Sequence, residues 1–244
     1  MTISVQWAET RNALAQTAAD FVQDFLRGVT TPVIALPTGE TPIGLYQALA
    51  QRHRRDGLSF RAARFFNLDE YEGMPPNHPQ SYHAFLHRHF LDHVDADFEN
   101  IRLLRGDTPD AHQECRAYDE AIAAVGGIDL AILGLGGNGH VAFNEPFDPW
   151  DQETHPVTLA EKTRFAHRPN FARAEDVPRS GLTMGIKTLR AARKILLLCA
   201  GASKRDAMAA LLRGRQDEAW PVTSLIGHKD LTIIAEAELQ PVPA

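Results

Sequence analysis

Ile128-Asp129-Leu130-Ala131-Ile132-Leu133-Gly134-Leu135-Gly136-Gly137-Asn138-Gly139-His140-Val141-Ala142-Phe143-Asn144-Glu145-Pro146 is an apolar run that stops at four glycines in six positions. A histidine follows at once, and a glutamate five residues later. This reads as a strand delivering a tight turn with exposed backbone, and an acid–base pair just beyond it. Open α/β sheets place their ligands at strand ends of this kind. The run contains a literal G-x-G-x-x-G, from Gly134 to Gly139. A dinucleotide fingerprint needs a helix immediately afterwards. Here Pro146 and Pro149 fall within ten residues of His140 and leave little room for one, so a nicotinamide site is disfavoured.

Outward from this stretch, strand and helix signals alternate. Leu14, Ala18, Phe21, Val22, Phe25 and Leu26 have the spacing of an amphipathic helix over residues 8–27, closed by Gly28. Residues 32–36 are a short apolar strand, 37–41 a loop, and Pro42 suits the first turn of the next helix. Residues 63–68 read as a strand ending at Asp69-Glu70-Tyr71, and 81–90 and 111–125 read as helices. A buried strand over 195–199, a helix over 204–212 and a strand over 231–235 complete the pattern. Residues 146–180 are rich in proline, charge and aromatics with weak periodicity, and read as a long, lid-like excursion, about 147–180. The expectation is an α/β chain, Rossmann-like, with a mostly parallel sheet and helices on both faces. With no repeat or linker, residues 1–244 are expected to form a single domain.

Composition narrows the function. The chain has 244 residues, 44% of them hydrophobic, and a net charge of −6 with both signs interspersed, which is not the basic stripe of a nucleic-acid binder. The two cysteines, Cys115 and Cys199, lack CxxC spacing, which argues against a thiolate metal site and for a reducing compartment. No apolar run is long enough to span a bilayer and no leader pattern is visible, so a cytoplasmic protein is expected, with no membrane partner.

Three further places carry chemistry. The strand–turn–helix at 36–41 offers free N–H groups and a helix dipole to an anion; an ordinary turn gives the same pattern, and the P-loop lysine is missing. In Asp69-Glu70, one carboxylate can serve a cleft as a base while the other pairs locally; a solvated turn is the alternative. Lys204 stands at another strand-to-helix junction. Beside His140, Glu145 can set its tautomer, and Asn138 is a neutral hydrogen-bond partner. His78, His83, His87, His89 and His93 lack metal-site spacing and read as a solvated, partly basic helix face.

Four motifs in order resemble the glucosamine-6-phosphate deaminase family: Leu36-Pro37-Thr38-Gly39-Glu40-Thr41-Pro42-Ile43-Gly44-Leu45-Tyr46, Phe66-Asn67-Leu68-Asp69-Glu70-Tyr71, His78-Pro79-Gln80-Ser81-Tyr82, and residues 134–146. The resemblance covers about residues 30 to 235. It implies conversion of glucosamine 6-phosphate and water to fructose 6-phosphate and ammonia, with no cofactor. It casts Asp69 as the base acting between C2 and C1, and His140 as the ring opener with Glu145 supporting it. Asn138 stands where many members carry Asp. Gly39, Glu40, Thr41 and Lys204 would hold the phosphate. Strict spacing puts the family's lid arginine on Pro169, which makes Arg168, one residue earlier, the candidate. His155-Pro156-Val157 replaces the basic pattern of allosteric members, and the longer C-terminal arm of hexameric relatives is missing. A monomer or small homo-oligomer without activation by N-acetylglucosamine 6-phosphate is therefore expected. The rivals are deamination of galactosamine 6-phosphate and 6-phosphogluconolactonase, whose relatives show DER in place of Asp69-Glu70-Tyr71. A non-catalytic sugar-phosphate sensor is a third.

Overall fold

A computed structural model describes residues 4–241. The elements run β1 (Val5–Ala8), α1 (Arg11–Gly28), β2 (Val33–Leu36), α2 (Thr41–Asp56), β3 (Arg64–Asn67), β4 (Asp69–Tyr71), α3 (Tyr82–His89), β5 (Ile101–Arg102), α4 (Ala111–Ala124), β6 (Leu130–Gly134), β7 (His155–Thr158), α5 (Glu161–His167), β8 (Ser180–Thr183), α6 (Ile186–Arg190), β9 (Lys194–Cys199), α7 (Arg205–Leu212) and β10 (Leu231–Glu236). Seven strands form one parallel sheet in the order β1-β10-β9-β6-β2-β3-β5. From β2 the chain steps outward through β3 to β5, then from β6 it steps the other way through β9 to β10. The reversal falls between β2 and β6, the switch point where such sheets open a crevice.

Alternation along the strands serves both faces. Val33 and Ala35 join Tyr118, Ile122, Leu189, Met208 and Leu211 on the side of α4, α6 and α7. Ile34 and Leu36 join Leu14, Val22, Leu45, Leu49 and Leu86 on the side of α1, α2 and α3. The expected mostly parallel sheet with helices on both faces is what forms. Local signals fix the helix ends: Thr10 accepts from the Ala13 N–H, Ser81 from Ala84 and Asp110 from Gln113, each a side-chain cap, while Gly57 closes α2 at φ +70°.

Two expectations are corrected. Residues 69–71 are not the tail of β3. The chain leaves the main sheet at Leu68, and β4 pairs antiparallel with β8, which pairs with β7. Residues 146–180 are not wholly irregular either: they contribute β7 and α5, and the small sheet covers its own cluster of Tyr71, Met74, Phe143 and Leu159. Among the described residues, no helix is long and apolar enough to cross a membrane.

Candidate active site

The turns after β2, β3, β6 and β9 converge at the switch point. After β2, Gly39 adopts φ +95°, which glycine allows at little cost, and the Tyr46 hydroxyl anchors the loop by donating to the Pro37 carbonyl at 2.5 Å. Among the described residues, the N–H groups of Thr38, Gly39 and Glu40 make no internal hydrogen bond. They stand free at the N-terminal end of α2, an anion-binding arrangement. Glu40 is exposed there.

Asp69 and Glu70 are separated by the strand alternation and take different partners. Glu70, 1% exposed, accepts N–H groups from Tyr71, Tyr82 and His83 and so caps α3. Burial nevertheless pushes its carboxyl up to about 7. Asp69 is 6% exposed, and its Oδ1 is buried with no hydrogen-bond partner. Burial first, and the Glu70 charge second, raise its pKa well above the carboxylate range. The backbone here is held by Asn67, whose amide donates to the Asp69 carbonyl at 2.6 Å and whose Oδ1 accepts from Leu104 and Tyr118. An unspent buried carboxylate on a braced strand is placed for proton abstraction.

The glycine turn packs around His140. The Gly136 N–H donates to the His140 carbonyl at 2.9 Å. A Cβ on Gly136 would lie 2.3 Å from the imidazole Nε2, so the ring lies directly on the glycine. Gly137 lies beside Lys204: an added Cβ there would be 4.0 Å from Nζ. Burial, followed by the Lys204 and Lys162 cations, depresses the His140 pKa to about 4, so the imidazole is neutral near pH 7 and can both accept and donate a proton. Lys204 is itself lowered, first by burial, with the nearby Glu40 charge acting against it.

Glu145 does not hold His140 by a direct hydrogen bond; Oε2 is 3.8 Å from Nδ1. The link runs through Thr163 of α5, whose hydroxyl donates to Glu145 Oε1 at 2.5 Å and lies 3.4 Å from His140 Nδ1. Asn138 does not touch the imidazole. Its amide donates to Glu145 Oε2 at 2.7 Å, and its Oδ1 accepts the His140 backbone N–H at 3.3 Å. Arg168 is exposed, on a short 3-10 turn (Arg168–Asn170), and its side chain makes no hydrogen bond or ion pair among the described residues. Thr163 and His167, both on α5, come to the site instead. No periodicity marked that helix in the sequence. The histidines of α3 are half-buried rather than solvated, with His83 and His87 stacked at 4.7 Å. Among the described residues, no cluster of three or more metal-ligating side chains forms.

The model of the family described as glucosamine-6-phosphate isomerases/6-phosphogluconolactonase matches residues 7–234. The chain is 41% identical to a glucosamine-6-phosphate deaminase of Thermoanaerobacter sp. (strain X514), covering 92% of this chain and 89% of the relative. It is 37% identical to glucosamine-6-phosphate deaminase 1 of Bacillus subtilis (strain 168), covering 97% and 98%. Among solved structures, a monomeric glucosamine-6-phosphate deaminase superposes with a TM-score of 0.95 at 37% identity, covering 97% of this chain and 98% of that one. A 6-phosphogluconolactonase from Thermotoga maritima shares the fold, with a TM-score of 0.74 at 18% identity over 96% and 98%.

Proposed function

The chain belongs to the glucosamine-6-phosphate isomerase/6-phosphogluconolactonase family, and on that premise we infer that it is a glucosamine-6-phosphate deaminase, converting glucosamine 6-phosphate and water to fructose 6-phosphate and ammonia. The observation that carries this over lactone hydrolysis is Asp69, a buried carboxylate with a free Oδ1. Moving a proton from carbon requires such a base; opening a lactone with water does not.

In this reading the phosphate binds the free N–H groups of the 37–41 loop, with Gly39, Glu40 and Thr41 shaping it and Lys204 supplying charge. Arg168, the lid arginine proposed on sequence, is exposed on the turn that follows α5, and Lys162 of α5 adds a further cation on the same segment. Binding energy at the phosphate, remote from the reacting carbons, positions the sugar. Neutral His140 takes the C1 hydroxyl proton and returns one to the ring oxygen, opening the pyranose. Asp69 then removes the C2 proton and delivers it to C1. The resulting C2 imine adds water and expels ammonia, leaving the ketose. Glu145, bracketed by Asn138 and Thr163, supplies the negative charge beside His140, and the segment carrying α5 acts as the lid.

Incubation with glucosamine 6-phosphate, galactosamine 6-phosphate and 6-phosphogluconolactone, followed by assay of ammonia and fructose 6-phosphate, tests this directly. Ammonia and fructose 6-phosphate are expected from glucosamine 6-phosphate; no ammonia from either amino sugar overturns the reading. Asp69→Asn should lower kcat by roughly 10²–10⁴-fold and stop exchange of the C2 proton with solvent. Exchange at the wild-type rate would remove Asp69 from its role.

A further inference from the structure

His167 is a second, half-buried imidazole at the site, and the mechanism above leaves it unused. It is the last residue of α5. Its Nδ1 lies 2.8 Å from the Tyr71 hydroxyl, and its ring meets the Tyr71 ring edge-on with centroids 5.9 Å apart. Phe143, three residues beyond His140, packs beside both rings, 6.1 Å from His167 and 5.6 Å from Tyr71. Burial first, then His140, hold the His167 pKa down to about 4, so the ring is neutral near pH 7.

The hydroxyls behind it fix its tautomer. Tyr82 donates to the Tyr71 oxygen at 3.3 Å. Tyr71 has one proton, and its remaining neighbour is His167 Nδ1, so that nitrogen is the acceptor. A neutral imidazole that accepts at Nδ1 carries its hydrogen on Nε2. That N–H makes no hydrogen bond among the described residues, and one turn earlier on the same helix the Thr163 hydroxyl lies 3.4 Å from His140 Nδ1, at the proposed substrate site.

We propose that His167 is a substrate-binding residue: α5 presents its Nε2–H as a hydrogen-bond donor to an oxygen of the bound sugar phosphate. The inference rests on the deaminase reading above. The Tyr82–Tyr71 pair makes the donor permanent, because no rotation or proton shift is needed when the sugar arrives. A donor aimed at a neutral sugar oxygen contributes binding and orientation rather than proton transfer.

The test compares His167→Phe, which keeps the ring and loses the donor, with His167→Gln, whose amide nitrogen reaches toward the Nε2 position. His167→Phe should lose about tenfold in kcat/KM for glucosamine 6-phosphate, mostly through KM, and His167→Gln should recover most of it at an unchanged thermal midpoint. In wild-type protein labelled with ¹⁵N-histidine, the His167 proton should be on Nε2, and saturating fructose 6-phosphate should shift that resonance. Wild-type kinetics in His167→Phe, a proton on Nδ1, or an Nε2 resonance unmoved by fructose 6-phosphate would each overturn the proposal. If His167→Phe does not fold, the glutamine variant and the wild-type spectra decide. Ammonia release by the wild type with an unaffected His167→Phe sinks this inference alone; no ammonia from the wild type sinks the deaminase reading and this one with it.

Discussion

Asn138 holds two parts of the site together with one amide: its Nδ2 donates to Glu145 Oε2 and its Oδ1 accepts the His140 backbone N–H. An aspartate there would keep the second bond and turn the first into a contact between carboxylates at 2.7 Å. Two such groups cannot both ionise in a buried site, so one keeps its proton well above the usual range and the pair titrates as a unit. Asn138→Asp should therefore change the shape of the kcat/KM profile against pH; superimposable pH–rate profiles would show that the amide at this position does not matter to the ionisations of the site. The wild type's own acid limb belongs to Asp69. Its raised pKa means the base is lost as pH falls through that raised value, while His140, depressed to about 4, is still neutral there.

The turn after β6 shows how an element positions a catalytic group. Gly136 has ordinary negative φ, so alanine meets no backbone strain; the conflict is between its Cβ and the His140 ring, 2.3–2.4 Å away. Gly136→Ala should push the ring aside, lowering kcat by about 10²-fold with little change in KM or thermal midpoint; wild-type kcat would mean that the ring's seat on the turn is unimportant. The elements that carry this turn were legible in sequence because β2, β6 and β9 are apolar runs ended by glycine or proline, and α1, α2 and α4 have clear faces and caps. The change of sheet at Leu68 was not. Periodicity registers alternation but not which neighbour a strand pairs with, so β4 read as the end of β3. The two-residue β5 is too short for a pattern, and β1 (Val5-Gln6-Trp7-Ala8) and β8 (Ser180-Gly181-Leu182-Thr183) lack the apolar run that marks the equally short β2. Asp69, His140, Glu145 and Lys204 were legible from motif and junction. Thr163 and His167 were not, because their significance lies in partners 18 and 96 residues away in sequence, Glu145 and Tyr71.

At the scale of the molecule, every group assigned to the proposed chemistry comes from one chain: the loop after β2, the start of β4, the turn after β6, α5, and the junction before α7. A monomeric glucosamine-6-phosphate deaminase has nearly the same structure. Cooperativity and allosteric activation require two linked sites that bias a shared equilibrium. In this chain, His155-Pro156-Val157 lies in β7, paired to β8 in the small sheet, and offers no cluster of basic side chains to hold a second sugar phosphate. We therefore expect a monomer with one site and no effector. Sedimentation velocity should give a single species of one chain's mass at micromolar concentration. The rate of ammonia release should rise hyperbolically with glucosamine 6-phosphate, and N-acetylglucosamine 6-phosphate should leave the shape of the curve unchanged. A sigmoidal curve that becomes hyperbolic on adding N-acetylglucosamine 6-phosphate would instead require a second site, and with it either an assembly of chains or a conformational equilibrium within this one.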